Sequence, residues 1–365
     1  MTGSRRLPVV LLAAAALTSA CGDASSTRSA LRAEADSIAA AYAMDGRWNG
    51  GLLVARDGSV VLRGASGLAD RESGRLNTPD MPYDLFSISK PFTAIVVLQL
   101  VESGHLALDG TLASYLPDYP GPGSDEITIH HLLSHTAGVP DYVTVIPGYW
   151  DAPPDIDRDS VLSIVAAEPL EFEPGDGFGY TNTGYVLLAA IVERVTGRPF
   201  EDLLSERIFE PLGMDDTHWT PIPAETQGIA TGYRGDQKAP VERVQKGEAG
   251  IVSTLDDMLL FARALGSDVL LSPASWELAF TPHADPARAR RFHPAHFNPY
   301  GYGFSLSSLE LANGETARVV SHGGAGSGGT TMLQRVIDGD GVVLLWNNDA
   351  DVDPGMPEML DLVAN

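Results

Sequence analysis

Strand-like runs stand at the two ends of this 365-residue chain, and helical patterns fill the stretch between them. Near the start, Gly51-Leu-Leu-Val-Ala-Arg-Asp-Gly-Ser-Val-Val-Leu62 reads as two strands joined at Asp57-Gly58, a hairpin signal. After residue 300, Arg318–Ser321, Thr330–Val336 and Gly341–Trp346 are short β-rich runs separated by glycine and aspartate. From about residue 105 to 290 the patterns are mostly helical, broken by loops over 117–124 and 145–157. Within that stretch a helix over Tyr185–Val195 meets its C-cap at Gly197. Leu31, Ala35, Ile38 and Tyr42 follow helical spacing, and a last helix is expected over Pro357–Ala364. The implied fold is α+β. An antiparallel sheet is built from both chain ends and flanked by helices, with a mainly helical subdomain inserted between. A crevice between sheet and subdomain is the expected place for a site.

The charge excludes one class of partner. A formal net charge of −24 repels phosphate backbones, so nucleic-acid binding is not expected. The N-terminus reads as an export signal over residues 1–20, with Arg5 and Arg6 as its basic region and an apolar stretch over 7–17. No later stretch reads as a transmembrane helix. Cys21, the single cysteine, follows directly. It is either the lipidated cysteine of a lipoprotein, giving a membrane contact through a lipid anchor, or an incidental thiol. Residues 21–30 are small and polar and read as a tether, leaving 31–365 as the folded domain. The expected location is outside the cytoplasm, periplasmic or on the cell surface.

Lysine is scarce: three residues, at 90, 238 and 246. Lys90 lies three positions after Ser87, and positions i and i+3 share a helix face. With a helix starting near Ser87, the hydroxyl sits at the helix N-terminus and the amine one turn along. The following run Ile95-Val-Val-Leu98 makes the surroundings dry. Burial disfavours an ammonium, and a neutral lysine can accept a serine proton. The positive helix end stabilises the oxyanion that results. Alone, Ser-x-x-Lys also fits a solvated helix face.

Three further segments carry a resemblance: Ile127-Thr-Ile-His-His-Leu-Leu-Ser-His-Thr-Ala-Gly138, Tyr180-Thr-Asn182, and His322-Gly-Gly324. With Ser87-Ile-Ser-Lys90 they occur in the order seen in the serine β-lactamase and penicillin-binding-protein superfamily. The chain resembles the branch near class C β-lactamases, D,D-carboxypeptidases and related esterases. The resemblance implies a β-lactamase/transpeptidase-like fold and acyl transfer through Ser87, with no cofactor. It implies that Tyr180 shares proton transfer with Lys90, and that Asn182 donates to a substrate carbonyl. It places an oxyanion hole at the N–H groups of Ser87 and Ala325, and substrate against His322, Gly323 and Gly324. Where dedicated β-lactamases carry Lys-Thr-Gly this chain has His322-Gly-Gly324, which leans toward an esterase or peptidase. A small-molecule or peptide substrate is implied, open among esters, D-amino-acid peptides and β-lactams. A catalytically idle module that binds cell-wall peptides is the competing reading.

Other polar groups read as structural. His130, His131 and His135 lack a carboxylate or cysteine at metal-site spacing, as do His293 and His296, so no metal is expected. Arg288, Arg290 and Arg291 fit a solvated face or a crevice rim. Asn182 doubles as an expected helix N-cap. Tyr149 and Trp150 fit either pocket lining or packing. Phe86 stands where the family favours a small residue, with narrowing of the pocket and a shifted turn as the two readings.

Overall fold

The computed structural model describes residues 17–284, 299–352 and 355–365, with side chains from residue 28 onward. Residues 1–16 of the expected export signal, the Cys21 side chain, Arg288, Arg290, Arg291, His293 and His296 lie outside the described residues.

Strands β1 (Gly51–Arg56) and β2 (Ser59–Ala65) form the expected hairpin. Asp57 and Gly58 both hold positive φ, 49° and 70°, as a tight two-residue turn requires. Tyr83–Asp84 is β3, His218–Trp219 β4 and Ile251–Ser253 β5. The C-terminal part supplies β6 (Ser305–Glu310), β7 (Thr316–Gly326), β8 (Gly329–Val336) and β9 (Val342–Asn347). The main sheet runs β6-β7-β8-β9-β1-β2 and every pairing is antiparallel. The two chain ends meet where β1 pairs with β9, Leu52 opposite Leu345 and Val54 opposite Val343.

Side chains alternate across this junction, so one sheet serves two cores. Leu53, Leu333, Leu344 and Trp346 face the larger core. Leu52, Val54, Val343 and Leu345 face a smaller one, against Ala35, Ala39 and Tyr42 of helix α1 (Leu17–Met44) and Met359 and Val363 of the last helix (Pro357–Ala364). Burial on both faces explains the nearly unbroken apolar runs of β1 and β9. The larger core is capped by α2 (Ser89–Glu102), apolar almost all round and buried accordingly.

The inserted segment contributes α3 (Ile129–Leu133), α4 (Tyr142–Val145), α5 (Asn182–Thr196) and α6 (Leu255–Ala264). Gly197 ends α5 in the left-handed conformation, φ 66°, as its sequence implied. The segment is not wholly helical, because β4 and β5 join β3 in a small antiparallel sheet.

Two local expectations are corrected. Residues 21–30 do not form a tether; they continue α1. No proline interrupts them, and extending a helix already nucleated and packed over 31–44 costs little per residue. The N-cap of α5 is Thr181, in extended conformation, and Asn182 is the first helical residue. Its side chain is engaged in the site instead.

Candidate active site

Ser87 lies in a 3-10 turn, Phe86–Ile88, that runs straight into α2. The turn is strained at Phe86, whose φ is 47° without the freedom of a glycine. Two contacts hold it. The Phe86 N–H donates to Asp84 Oδ1 at 2.8 Å, and the Leu85 carbonyl accepts from Thr331 Oγ1 of β8 at 3.1 Å. The Phe86 ring takes the room that glycines leave on the β7–β8 hairpin. A methyl on Gly326 would collide with it, and one on Gly329 would lie 3.2 Å from Cε2. Phe86 therefore packs against the hairpin, and its ring also walls the cavity beside the turn. The reason for Gly324 is closer to the chemistry. A Cβ there would lie 2.5 Å from the Leu85 carbonyl oxygen, so only glycine lets β7 approach the nucleophile turn.

Lys90 is fully buried one turn along. Its Nζ lies 3.0 Å from Ser87 Oγ, 2.7 Å from Asn182 Oδ1 and 3.1 Å from the Glu248 carbonyl oxygen. The two carbonyl oxygens can only accept, so they take two N–H bonds. The third position faces Ser87. There an ammonium donates to Oγ, and a neutral amine accepts the Oγ proton. The same geometry serves both forms, as a proton-transfer partner needs.

Asn182 is oriented from behind. The buried carboxylate of Asp141 accepts from Asn182 N at 3.2 Å and from Nδ2 at 3.4 Å. A carboxylate accepts only, so Nδ2 turns to Asp141 and Oδ1 to Lys90. Glu248 is also anchored: its Oε1 accepts from the Tyr142 hydroxyl at 2.7 Å and from Gln245 N at 3.1 Å. Sequence reasoning missed Asp141, Tyr142 and Glu248. Asp141 lies three residues after the segment Ile127–Gly138 that carries α3, the one signal that could have pointed to it.

Tyr180 stands opposite. Its ring centroid lies 5.0 Å from Lys90 Nζ and 4.3 Å from the His135 ring. His135, with φ 58°, is buried beneath it and accepts from Thr181 N at 3.2 Å, which fixes the Tyr180–Asn182 segment. Burial holds the His135 imidazole well below its usual range, with Lys90 and His322 adding to the effect. The other two histidines of the segment are also structural. His130 pairs with the Tyr302 hydroxyl at 2.6 Å, and burial lowers it to about 4. His131 closes a capping box with Thr128 at the start of α3. Among the described residues, no group of three or more His, Cys, Asp or Glu is placed to hold a metal ion.

His322 lies on β7, opposite Leu333 of β8. Its Nδ1 is 2.6 Å from the Gly323 carbonyl oxygen, so Nδ1 carries the proton. Nε2 then accepts from the Tyr300 hydroxyl at 3.0 Å. Burial and the nearby Lys90 charge push His322 down to about 3, so the ring is neutral. With both nitrogens engaged by protein, a direct bond to substrate would have to displace Tyr300, another group that sequence reasoning missed. Gly323 and Ala325 are exposed on the same strand, while Gly324 is buried against Leu85. The structure therefore gathers Ser87, Lys90 and Asn182 in direct contact, with Tyr180 and His322 around them. Tyr149 is buried against Tyr142, and Trp150 is exposed.

A serine bonded to a buried lysine at the start of a helix, beside an open sheet strand, is the arrangement of serine hydrolases that work through an acyl-enzyme. The chain belongs to the β-lactamase family, whose model, described as Beta-lactamase, matches residues 35–364. It is 32% identical to a penicillin-binding protein of Bacillus subtilis, over 80% of this chain and 66% of that one. It is 37% identical to the esterase EstB of Burkholderia gladioli, over 52% of this chain and 51% of the relative. The chain thus spans between about half and two thirds of the length of these relatives. Among solved structures, a penicillin-binding protein from Bacillus halodurans superposes with a TM-score of 0.72 at 26% identity, covering 88% of this chain and 96% of that one.

Proposed function

We propose that this protein hydrolyses a small acyl substrate, an ester or an amino-acid amide, through a covalent ester on Ser87. The observation that carries the reading is the three-way seat of Lys90, which leaves one valence for the Ser87 hydroxyl. Ser87 Oγ attacks the acyl carbon as its proton passes to Lys90. The developing oxyanion meets the N–H groups of Ser87 and Ala325. The leaving group departs with a proton delivered from Lys90 by way of Tyr180. Water then attacks the acyl carbon as its proton passes to Lys90; the acyl C–Oγ bond breaks, the carboxylic acid leaves, and Lys90 returns the proton to Oγ.

The neutral state of His322 supports a neutral substrate over a carboxylate-bearing β-lactam. A penicillin or a D-Ala-D-Ala peptide brings a carboxylate that a neutral, fully engaged imidazole does not balance. The test is Ser87→Ala, assayed with p-nitrophenyl butyrate, a D-Ala-D-Ala peptide and nitrocefin, together with fluorophosphonate labelling. Labelling and ester hydrolysis are expected to vanish. Survival of both would sink the assignment, and labelling of Ser87 without turnover of any substrate would favour a binding module.

Export is part of the same proposal. The Arg5-Arg6 pair, the apolar stretch 7–17 and the lone Cys21 support a periplasmic or cell-surface enzyme held by a lipid on Cys21. Mass spectrometry of the N-terminal peptide, with Cys21→Ser as control, reads the lipid directly. An unmodified Cys21 would refute the anchor.

A further inference from the structure

A cavity of about 300 Å³ lies beside the nucleophile turn, lined by none of Ser87, Lys90, Tyr180, Asn182 or His322. Phe86 is one of its walls, and Pro223, Ala239 and Pro240 add apolar surface. Part of its polar lining is left unsatisfied. Asp84 lines the cavity and spends Oδ1 on the Phe86 N–H. Glu242 spends Oε2 on the Ser327 N–H at 3.2 Å, and its buried Oε1 has no hydrogen-bond partner among the described residues. Ser327 and Asn347, exposed by 1% and 2%, also line the cavity, and Ser327 Oγ and Asn347 Nδ2 are again without a partner.

No cation forms an ion pair with either carboxyl among the described residues, although the Arg234 charge acts on Glu242 from a distance. Lys238 on the rim reaches out to Glu72 at 4.0 Å, and Arg234 bonds the Trp150 carbonyl at 3.3 Å. Buried anionic oxygens are costly unless an N–H donor or a proton meets them. Burial indeed pushes Asp84 up to about 8, with Glu242 and Glu248 adding to the shift, and it raises Glu242 as well. Two carboxyls in a ligand-sized cavity of mixed apolar and polar walls fit a ligand that carries its own N–H donors and positive charge.

We propose that this cavity binds an organic primary ammonium group, seated between Asp84 and Glu242 with its carbon portion against Phe86. The ammonium donates to Asp84 Oδ2 and Glu242 Oε1, and an accompanying carbonyl or hydroxyl accepts from Asn347 Nδ2 and Ser327 Oγ. The amine belongs either to the acyl part of a substrate or to a free amine bound beside it. Only the first source rests on the serine-hydrolase reading.

The test has two arms. In the first, benzylammonium and its neutral counterpart benzyl alcohol are titrated into Ser87→Ala protein by calorimetry, which needs no catalysis. Benzylammonium is expected to bind at least tenfold more tightly. Glu242→Gln, which retains an oxygen for the Ser327 N–H, is expected to abolish that preference while keeping the melting temperature. Equal binding of the two compounds, absence of saturation, or an unchanged preference in Glu242→Gln would overturn the proposal. In the second arm, D-phenylalanine p-nitroanilide is compared with its N-acetyl derivative on protein with Ser87 intact. A tenfold loss of kcat/KM on acetylation that disappears in Glu242→Gln assigns the site to the substrate's own amine. Equal rates on the two, with benzylammonium still bound in the first arm, assign it to a free amine.

Discussion

Gly324→Ala is the substitution whose effect follows most directly from the geometry. The new Cβ collides with Thr331 Oγ1, lies 2.5 Å from the Leu85 carbonyl oxygen and 3.0 Å from Phe86 Cβ. The threonine hydroxyl can rotate away, but the Leu85 carbonyl cannot. It already accepts from Thr331 Oγ1 at 3.1 Å and from Ile88 N at 3.0 Å, and it belongs to the turn that presents Ser87. Ordinary van der Waals contact requires β7 to retreat by roughly 1 Å, at an overpacking cost of about 1–3 kcal/mol. Ala325 retreats with it. In the proposed mechanism Ala325 N–H is an oxyanion donor, and a donor displaced by that distance is close to a donor removed, which costs about 10²–10³ in kcat. The assay is kcat on p-nitrophenyl butyrate beside thermal unfolding and the rate of fluorophosphonate labelling. The expected result is a folded protein with a modestly lowered Tm and both rates reduced together. A variant with near-parental kcat would refute the claim that Gly324 sets the distance between β7 and the nucleophile turn.

Two further predictions test groups around the site. Asp141→Asn replaces an obligate acceptor by an amide, so the Asn182 side chain is no longer forced to turn Oδ1 toward Lys90. Loss of the charge-assisted bonds, about 1.5–3 kcal/mol, is expected to lower kcat roughly tenfold or more. KM for a neutral ester should hold, and an unchanged kcat would show that Asp141 only packs. Asp84→Asn keeps the Phe86 bond and removes a carboxyl whose folded-state pKa, about 8, stands above its unfolded value. A raised carboxyl pKa contributes stability in full below the unfolded pKa, near pH 4, and loses it as pH rises through about 8. The variant should therefore gain stability relative to the parent at pH 9 and show little gain at pH 4, read from urea unfolding midpoints. A constant difference across that range would contradict the raised pKa.

Much of the fold was readable because it is governed locally. The Asp57-Gly58 turn, the end of α5 at Gly197 and the last helix over Pro357–Ala364 lie where their residues imply. In each, turn chemistry or side-chain periodicity acts within a few residues. The readings that failed did so where neighbours decide. Residues 21–30 are compatible with coil and with helix alike, and their attachment to the packed part of α1 selects helix. Asn182 has the composition of an N-cap, but Lys90 and Asp141 occupy its side chain and Thr181 takes the cap position. Phe86 reads as a misfit beside the nucleophile until the glycines at 324, 326 and 329 are seen to make room for it.

The sequence alone set Ser87 and Lys90 three positions apart at the head of an apolar run, a spacing that brings the two side chains to one face once a helical turn forms there. It also determined that both chain ends would supply the strands. What only the tertiary structure decided is the state of those groups. The Glu248 carbonyl lies 158 residues from Lys90 in the chain, yet it takes one of the three lysine bonds. A backbone carbonyl leaves no mark in a sequence, because every residue has one. The neutrality of His322 likewise depends on its burial first and on the Lys90 charge second. Desolvation is a property of everything packed around a group, so it exists only once the chain has folded.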